Sequence, residues 1–177
     1  RGEGLDEWQP LVCAYLKGFL GPMTEGGVNW VNALPRAAER GIAVEETRLR
    51  REMGYSNYLQ VTLTTDGGAE FSLAGTLFER RYPRIVEING YRMDVEPEGV
   101  LLLIENHDRP GALGKTATLL GEHKLNIGEC RLGRRERAGV ALAVITLDEE
   151  APDSVLAALR EIPEVLRLVP GMQVSRQ

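Results

Sequence analysis

The order of the apolar segments between residues 100 and 169 restricts the fold more than any other feature of this sequence. The first segment, Val100–Asn106, is a short run of branched apolar residues, which is typical of a strand buried on both faces. It is followed by a predicted helix at 111–124 and by two strands at 126–133 and 140–147. A second helix begins at Pro152, and a last strand lies at 165–169. This βαββαβ order predicts a ferredoxin-like unit, in which two helices cover one face of a four-stranded antiparallel sheet.

The other face of the predicted sheet also needs a cover, because a small domain with one bare apolar face is only marginally stable. A second copy of the same sheet is the most economical cover. We therefore expect the chain to form at least a dimer.

An acidic, turn-rich stretch at 95–99 (VEPEG) predicts a boundary between a first domain, residues 1–99, and a second domain, residues 100–177. The first domain is predicted to have a mixed α+β fold. Its predicted elements are a helix at 10–20, a short helix capped by Asn32 with Pro35 in its first turn and Gly41 past its end, a strand at 58–65 turned back by residues 66–68, and a hairpin at Asn89-Gly90.

Charge and composition argue against several classes of function. The formal net charge of −5, from 26 acidic and 21 basic residues, argues against a nucleic-acid partner. No apolar run reaches the roughly 18 to 20 residues that a membrane span needs. Cys13 and Cys130 stand far apart without Cys or His neighbours at ligand spacing, so we expect no disulfide, no metal site and a reducing, cytoplasmic setting.

The start of the chain predicts a fragment of a longer polypeptide. The first residue is Arg1 rather than Met, and the opening residues carry no apolar signal-peptide core. We therefore expect the first domain to be truncated at its N-terminus. Because only His107 and His123 are available for acid–base chemistry near neutral pH, we assign no catalytic residue.

The tripeptide Gly114-Lys115-Thr116 is similar to the end of a phosphate-binding loop. That motif also requires a glycine where this sequence has Arg109, and the tripeptide lies inside the predicted helix. No GxGxxG follows a predicted strand either. We therefore expect this chain to bind no nucleotide cofactor.

The loop before the predicted helix at 111–124 is the best candidate for a binding site. A helix N-terminus presents unpaired N–H groups that suit a carboxylate, and Gly111 lets a ligand approach the backbone closely. Asp108 can accept hydrogen bonds from an ammonium group, and Asn106 and Asn126 can both donate and accept. A free amino acid has this polarity. In the alternative interpretation Asp108 caps the helix and Asn126 turns the chain.

Several segments resemble known regulatory domains. Residues 104–114 (IENHDRPGALG), 119–123 (LLGEH) and 126–127 (NI) resemble an ACT domain, in particular that of bacterial D-3-phosphoglycerate dehydrogenases. Other segments resemble the intervening, or allosteric substrate binding, domain of the same family: 31–33 (VNA), 38–42 (AERGI), 75–78 (GTLF) and 83–92 (PRIVEINGYR). The resemblance covers nearly the whole chain and includes the order of the two domains.

The resemblance implies a regulatory part that senses L-serine. ACT domains of this family pair side by side, so a dimer or tetramer is implied, with serine bound at the junction for feedback inhibition of L-serine biosynthesis. Asn106, Asp108 and Gly111 would hold the serine, and Asn126 would reach it from the neighbouring subunit. The catalytic domains of this oxidoreductase, with NAD as their cofactor, would lie upstream in the same chain.

Arginines cluster at two places in the sequence. In the first domain they predict a site for an anion such as a phosphorylated acid, because guanidinium groups bind phosphate and carboxylate in bidentate fashion. These arginines are Arg80, Arg81, Arg84 and Arg92, with Arg92 placed across the Asn-Gly hairpin from Arg84. The alternative is a solvated surface balanced by Glu79, Glu87 and Glu96. The second cluster is assigned a surface role or a subunit contact and consists of Arg131, Arg134, Arg135 and Arg137.

Two other functions stay open at this point. The β-type portion of an iron–sulfur L-serine dehydratase resembles the same pair of domains, but neither its Ser-rich substrate motif nor a cluster-binding set of cysteines is found here. A freestanding amino-acid-binding module is the other alternative. The effector is L-serine or a related small amino acid, because Asp108 and Asn126 would contact only groups that all amino acids share.

Overall fold

We describe the protein from a computed structural model, which describes residues 8–47, 54–170 and 173–174. Residues 1–7, on which the interpretation of the chain as a fragment rests in part, lie outside the described residues. The described chain divides into two units, one that ends at Tyr58 and one that begins at Leu59. This division separates two compact units of the fold and does not test the predicted domain boundary at residue 99, which stays a prediction.

The first unit is built on two helices. Helix α1 spans Trp8–Leu20 and ends in a short 3-10 turn, Gly21–Met23, and helix α2 spans Ala33–Glu39. Ala33 and Ala37 are the fully buried residues of α2, and their small side chains allow the two helices to pack closely. The buried core of this unit consists of Cys13, Leu16, Leu20, Val28, Ala33 and Ala37.

Helix α2 ends as the sequence predicts but begins differently. Gly41 has a φ of 71°, and the N–H groups of Gly41 and Ile42 donate to the carbonyls of Ala38 and Ala37, which is a Schellman cap. At the other end, the prediction that the Asn32 side chain caps the helix is wrong. Its Oδ1 instead accepts the N–H of Asn29 at 2.7 Å, so the side chain closes the preceding turn.

The second unit contains two antiparallel sheets. The first sheet has four strands in the order β1-β2-β3-β4. Their bounds are Leu59–Thr64 (β1), Glu70–Phe78 (β2), Tyr82–Ile88 (β3) and Tyr91–Val95 (β4). Strands β3 and β4 are joined by Asn89 and Gly90, which confirms the predicted hairpin, and their φ values of 48° and 79° are those of a type I′ turn.

The second sheet and its helices have the predicted βαββαβ order. The elements are β5 (Gly99–His107), α3 (Ala112–Glu122), β6 (Ile127–Arg134), β7 (Val140–Leu147), α4 (Asp153–Arg160) and β8 (Val165–Val169). The strand order is β6-β7-β5-β8, and a short strand that was not predicted, β9 (Gln173–Val174), pairs with the start of β5. The prediction of an α+β fold with a ferredoxin-like unit is confirmed.

The central strand β5 is buried on both faces, as its run of branched residues predicts. Val100, Leu102 and Ile104 face the two helices, where they pack against Leu120 of α3 and Leu159 of α4. The odd-numbered residues of β5 point to the opposite face of the sheet. The second sheet therefore needs two covers, and α3 and α4 supply one of them.

The other cover comes from the same chain, and this corrects the expectation that a second copy supplies it. Residues of the β3–β4 hairpin pack against Leu101 of β5 and against Leu142 and Val144 of β7. The hairpin residues in this core are Ile88, Tyr91 and Val95. Only three residues lie between the end of β4 and the start of β5, so the first sheet folds back directly onto the second. An argument for a dimer can therefore not rest on this face.

A glycine allows the two sheets to approach closely. A Cβ atom at Gly133 of β6 would lie 3.0 Å from the Cβ of Tyr91 and 3.0 Å from the Cε of Met93. Two cation–π contacts add to this packing, since Arg135 lies over the ring of Tyr91 at 4.5 Å and Arg167 lies over the ring of Phe71 at 5.0 Å.

Helix α3 is anchored by an ion pair. Lys115 Nζ lies 2.5 Å from Oε1 of Glu164, in the segment that leads into β8. The hydrogen bond from Lys115 is the main cause that lowers the pKa of the Glu164 carboxyl, and the charge of Arg109 adds to it. The backbone carbonyl of Glu164 also accepts the N–H of His107 at 2.8 Å, so this segment supports the end of β5 as well.

Gly133→Ala tests the close approach of the sheets. We expect it to lower the free energy of unfolding by about 1–3 kcal/mol, since the new methyl group must displace Tyr91 or Met93. The control is Gly114→Ala in α3, where nothing lies within 4 Å of the new atom and the change is expected to be neutral or stabilising by up to about 1 kcal/mol. Urea unfolding of both variants measures the difference, and equal stability of Gly133→Ala and wild type would contradict this account.

Lys115→Met tests the ion pair through its pH dependence. Because the pKa of Glu164 is lowered in the folded state, the pair stabilises the fold above the ordinary glutamate pKa of 4.5, and the contribution is lost as the pH falls through the lower folded value. We expect Lys115→Met to be less stable than wild type at pH 7 and the difference to disappear in acid. Lys124→Met is the matched control, and a stability difference for Lys115→Met that does not change with pH would contradict the assignment.

Candidate effector site

The loop between β5 and α3 presents the open end of a helix. Gly111 precedes the helix in the left-handed region with a φ of 88°, a conformation that favours glycine. Among the described residues no side chain caps α3, and a Cβ built on Gly111 meets nothing within 4 Å. The N–H of Ala112 donates to the carbonyl of Arg109 at 3.2 Å, so the N–H groups of Leu113 and Gly114 are those of the first turn that stay open to an anionic group.

Asp108 is held by contacts with the β6–β7 hairpin. Its Oδ1 lies 3.2 Å from Nη2 of Arg134, and its Oδ2 accepts the N–H of Ala138 at 3.2 Å. Its own N–H donates to the carbonyl of Gly139 at 3.0 Å. The alternative in which Asp108 caps the helix is therefore wrong. The side chain is only 13% exposed, so the carboxylate is held in a defined position.

Asn106 lies one step earlier, at the end of β5. It follows Leu102 and Ile104 at two-residue intervals, so its side chain lies on the helix side of the sheet. It is 8% exposed, and its Nδ2 donates to the carbonyl of His107 at 2.9 Å. Asn106 at the end of β5 thus lies close in the chain to Asp108 and Gly111 in the loop that leads to α3.

Asn126 lies at the opposite end of the second sheet. The next residue, Ile127, pairs with Leu147, which pairs with Val100 at the start of β5. Asp108, in contrast, follows the end of β5 and contacts Arg134 at the end of β6. The seven residue steps along β6 correspond to roughly 23 Å. One chain therefore does not bring Asn126 to the other three predicted effector residues.

The side chain of Asn126 has a partner in the same chain. Its Nδ2 donates to Oδ2 of Asp148 at 2.7 Å, and its carbonyl accepts the N–H of Asp148 at 3.3 Å. The left-handed residue that turns the chain before β6 is Lys124, with a φ of 62°, and not Asn126. The amide of Asn126 is exposed and lies at the surface next to an edge strand.

The four arginines of the predicted anion site lie in the turn between β2 and β3, in β3 and in β4. Arg84 lies between two carboxylates, with its Nε 3.8 Å from Asp94 and its Nη2 3.6 Å from Glu96. The placement of Arg92 across the hairpin from Arg84 is wrong, because the register pairs Arg92 with Glu87. Arg80 and Arg81 lie in the turn between β2 and β3, and Arg81 contacts the ring of Tyr82. The anion site made of these four arginines stays a prediction.

The second arginine cluster makes contacts inside the chain that the sequence did not indicate. Arg134 pairs with Asp108, and Arg135 donates to the carbonyl of Asn89 in addition to its contact with Tyr91. Arg131 lies 2.6 Å from Glu129 on its own strand. Arg134 and Arg135 are both exposed, so their surface role or subunit contact stays a prediction, and their contacts within the chain come in addition to it. Two consecutive arginines connect the β6–β7 hairpin to the candidate loop and to the first sheet.

Among the described residues neither a metal-binding group nor a membrane-spanning helix is found. No group of three or more His, Cys, Asp or Glu side chains in these parts of the chain could hold a metal ion. The lysine of the Gly-Lys-Thr tripeptide is engaged with Glu164 inside the unit. None of the described helices combines the length and apolar character that a membrane crossing requires.

Comparison with known proteins identifies both parts of the chain. Residues 5–89 match the D-3-phosphoglycerate dehydrogenase intervening domain, and residues 100–164 match the ACT domain. D-3-phosphoglycerate dehydrogenase of Methanocaldococcus jannaschii is 36% identical over 152 residues, which are 86% of this chain and 28% of that protein. The Bacillus subtilis enzyme of the same name is 35% identical over 156 residues, which are 88% of this chain and 30% of the relative. The Mycobacterium tuberculosis enzyme is 32% identical over 170 residues, which are 95% of this chain and 32% of the relative.

The chain thus spans less than a third of the length of these relatives. The intervening domain comes first in the chain and the ACT domain follows it. With an intervening domain followed by an ACT domain, the chain belongs to the D-3-phosphoglycerate dehydrogenase family, of which it carries the regulatory part.

Proposed function

We propose that this chain binds L-serine, or a closely related amino acid, at the loop between β5 and α3 and thereby regulates a D-3-phosphoglycerate dehydrogenase by feedback inhibition. The observation that carries the proposal is the position of Asp108. Its carboxylate is only 13% exposed and lies in the loop that leads into α3, whose N-terminus no described side chain caps. An anionic acceptor next to a set of open N–H donors matches the ammonium and the carboxylate of a free amino acid.

Each residue of the loop has a distinct part in this binding. Asp108 accepts the ammonium of the ligand, and the N–H groups at the start of α3 bind its carboxylate. The glycine at position 111 keeps the approach to these N–H groups open, since no side chain projects there. Asn106 supplies a buried amide at the floor of the loop.

The site is completed by a second copy of the chain. Strand β6 is an edge strand of the second sheet, and its outer backbone groups can pair with another strand. If two β6 strands pair antiparallel about a two-fold axis, residue 127 of one copy lies near residue 134 of the other. Asn126 of one copy then lies beside the loop that holds Asp108 of the other, which the separation within one chain does not allow.

Regulation requires that the ligand distinguish between two arrangements of the enzyme. A ligand with equal affinity for both shifts nothing, so L-serine must bind the inhibited arrangement more tightly. We place the NAD-dependent active site in other domains of the full-length enzyme. The cysteines Cys13 and Cys130 are free thiols, which fits a reducing compartment such as the cytoplasm.

The relatives favour this function over the two alternatives. The relatives reported above are D-3-phosphoglycerate dehydrogenases by name, and the match includes the intervening domain named after that enzyme. Neither an iron–sulfur dehydratase nor a freestanding module has a comparable observation in its favour. The anion site of the first domain is outside this proposal, because its best-placed arginine, Arg84, already lies between two carboxylates.

Asp108→Asn tests the effector site. The substitution keeps the shape of the side chain but removes the charge, so we expect the affinity for L-serine to fall at least tenfold through loss of a charge-assisted hydrogen bond worth about 1.5–3 kcal/mol. Isothermal titration calorimetry of the chain with L-serine measures the effect. Asp66→Asn, in the turn between β1 and β2, is the matched control and should bind as wild type does. No serine binding by wild type, or equal binding by Asp108→Asn, would contradict the proposal.

A mixed dimer tests whether the site is shared between two copies. Chains with Asp108→Asn and chains with Asn126→Ala should each bind L-serine poorly alone. In a mixed dimer one of the two sites combines the intact Asp108 of one chain with the intact Asn126 of the other. We therefore expect each mixed dimer to bind one L-serine. The measurement is calorimetric stoichiometry after co-refolding of differently tagged chains. Failure of the mixed dimer to bind, when wild-type dimers treated in the same way do bind, would show that the two residues act in the same chain or not at all.

A further inference from the structure

The carboxylate that we assign to the effector's ammonium already has a cation beside it. Nη2 of Arg134 lies 3.2 Å from Oδ1 of Asp108, and Oδ2 is engaged by the N–H of Ala138. Since Asp108 is only 13% exposed, an incoming ammonium has to approach the same few lone-pair positions that the guanidinium uses. Two cations at one carboxylate also repel each other, so each weakens the binding of the other.

We propose that Arg134 is an internal competitor of the effector, which occupies Asp108 and has to yield its place when the amino acid binds. This inference rests on the proposed function, because it assumes that the ammonium binds Asp108. Arg134 is a positioning residue in this scheme: it sets the affinity of the site without contacting the ligand. Its side chain is 52% exposed, so it can turn into solvent at little cost.

The loop keeps its shape when Arg134 leaves. The N–H of Asp108 donates to the carbonyl of Gly139, and Oδ2 of Asp108 accepts the N–H of Ala138. These two hydrogen bonds hold the loop to the β6–β7 hairpin independently of the guanidinium. Exchange of Arg134 for the ligand therefore changes a charge contact without dismantling the site.

The exchange also provides a connection to the first sheet. Arg134 is followed directly by Arg135, whose guanidinium contacts the carbonyl of Asn89 and the ring of Tyr91. On the other side, Gly133 packs under Tyr91 and Met93. Arg134 lies between Gly133 and Arg135, which both contact the first sheet. Release of Arg134 thus loosens the hairpin at this point, so serine binding changes the contact with the first sheet.

Arg134→Gln tests the competition. We expect its dissociation constant for L-serine to be about two- to fivefold lower than that of wild type, which is the size expected for removal of a partly exposed ion pair. Arg134→Lys keeps a cation and should bind as wild type does. Arg137→Gln removes the same charge from the same hairpin, makes no ion pair among the described residues and should also bind as wild type does. Calorimetry with L-serine compares the four chains.

The direction of the effect separates competition from structural damage. A damaged loop binds more weakly, whereas removal of a competitor makes binding tighter. An unchanged or higher dissociation constant for Arg134→Gln, with normal binding by wild type, would overturn the competitor while leaving the effector site intact. Absence of binding by wild type would overturn both. Equal tightening in Arg137→Gln would also overturn the proposal, because it would show a general effect of net charge.

Discussion

The packing of the β3–β4 hairpin onto the second sheet is the contact on which the rest of the second unit depends. A ferredoxin-like sheet has two apolar faces, and α3 and α4 cover only one of them. Ile88, Tyr91 and Val95 cover the other, within the same chain. The burial of these side chains stabilises both sheets at once, because it removes apolar surface of both from water. It also brings the two family domains into contact at residues next to the candidate effector loop.

This arrangement explains why the β6–β7 hairpin carries three consecutive residues with separate contacts. Gly133 allows the approach of Tyr91, Arg134 pairs with Asp108, and Arg135 binds the carbonyl of Asn89. A single short segment therefore connects the packing of the two sheets with the charge balance of the loop. In an allosteric protein a ligand acts through contacts that differ between states, and under the proposed function the Asp108–Arg134 pair is such a contact.

The features that the sequence predicts correctly have local causes. The βαββαβ order follows from periodicity, the hairpin from the pair Asn89-Gly90, and the end of α2 from Gly41. The features that it misses depend on contacts between distant segments. Nothing near Asp108 indicates that Arg134 will lie beside it, and Lys115 and Glu164 are 49 residues apart. The cover of the second sheet was missed for the same reason, since an apolar strand face does not specify which surface it will meet. The sequence and the family resemblance proposed Asn106, Asp108, Gly111 and Asn126 as effector residues, but the opposite positions of Asp108 and Asn126 appear only in the folded sheet.

The central claim is that one amino acid is bound between the α3 end of one chain and the Asn126 end of another. Amide chemical-shift mapping of the isotope-labelled chain during titration with L-serine tests it most directly, because it reports on both ends in one experiment. The account predicts concerted shifts at residues 111–114 and at Asn126, with one common dissociation constant. Shifts at the loop without any change at Asn126, or no shift at either end, would contradict it.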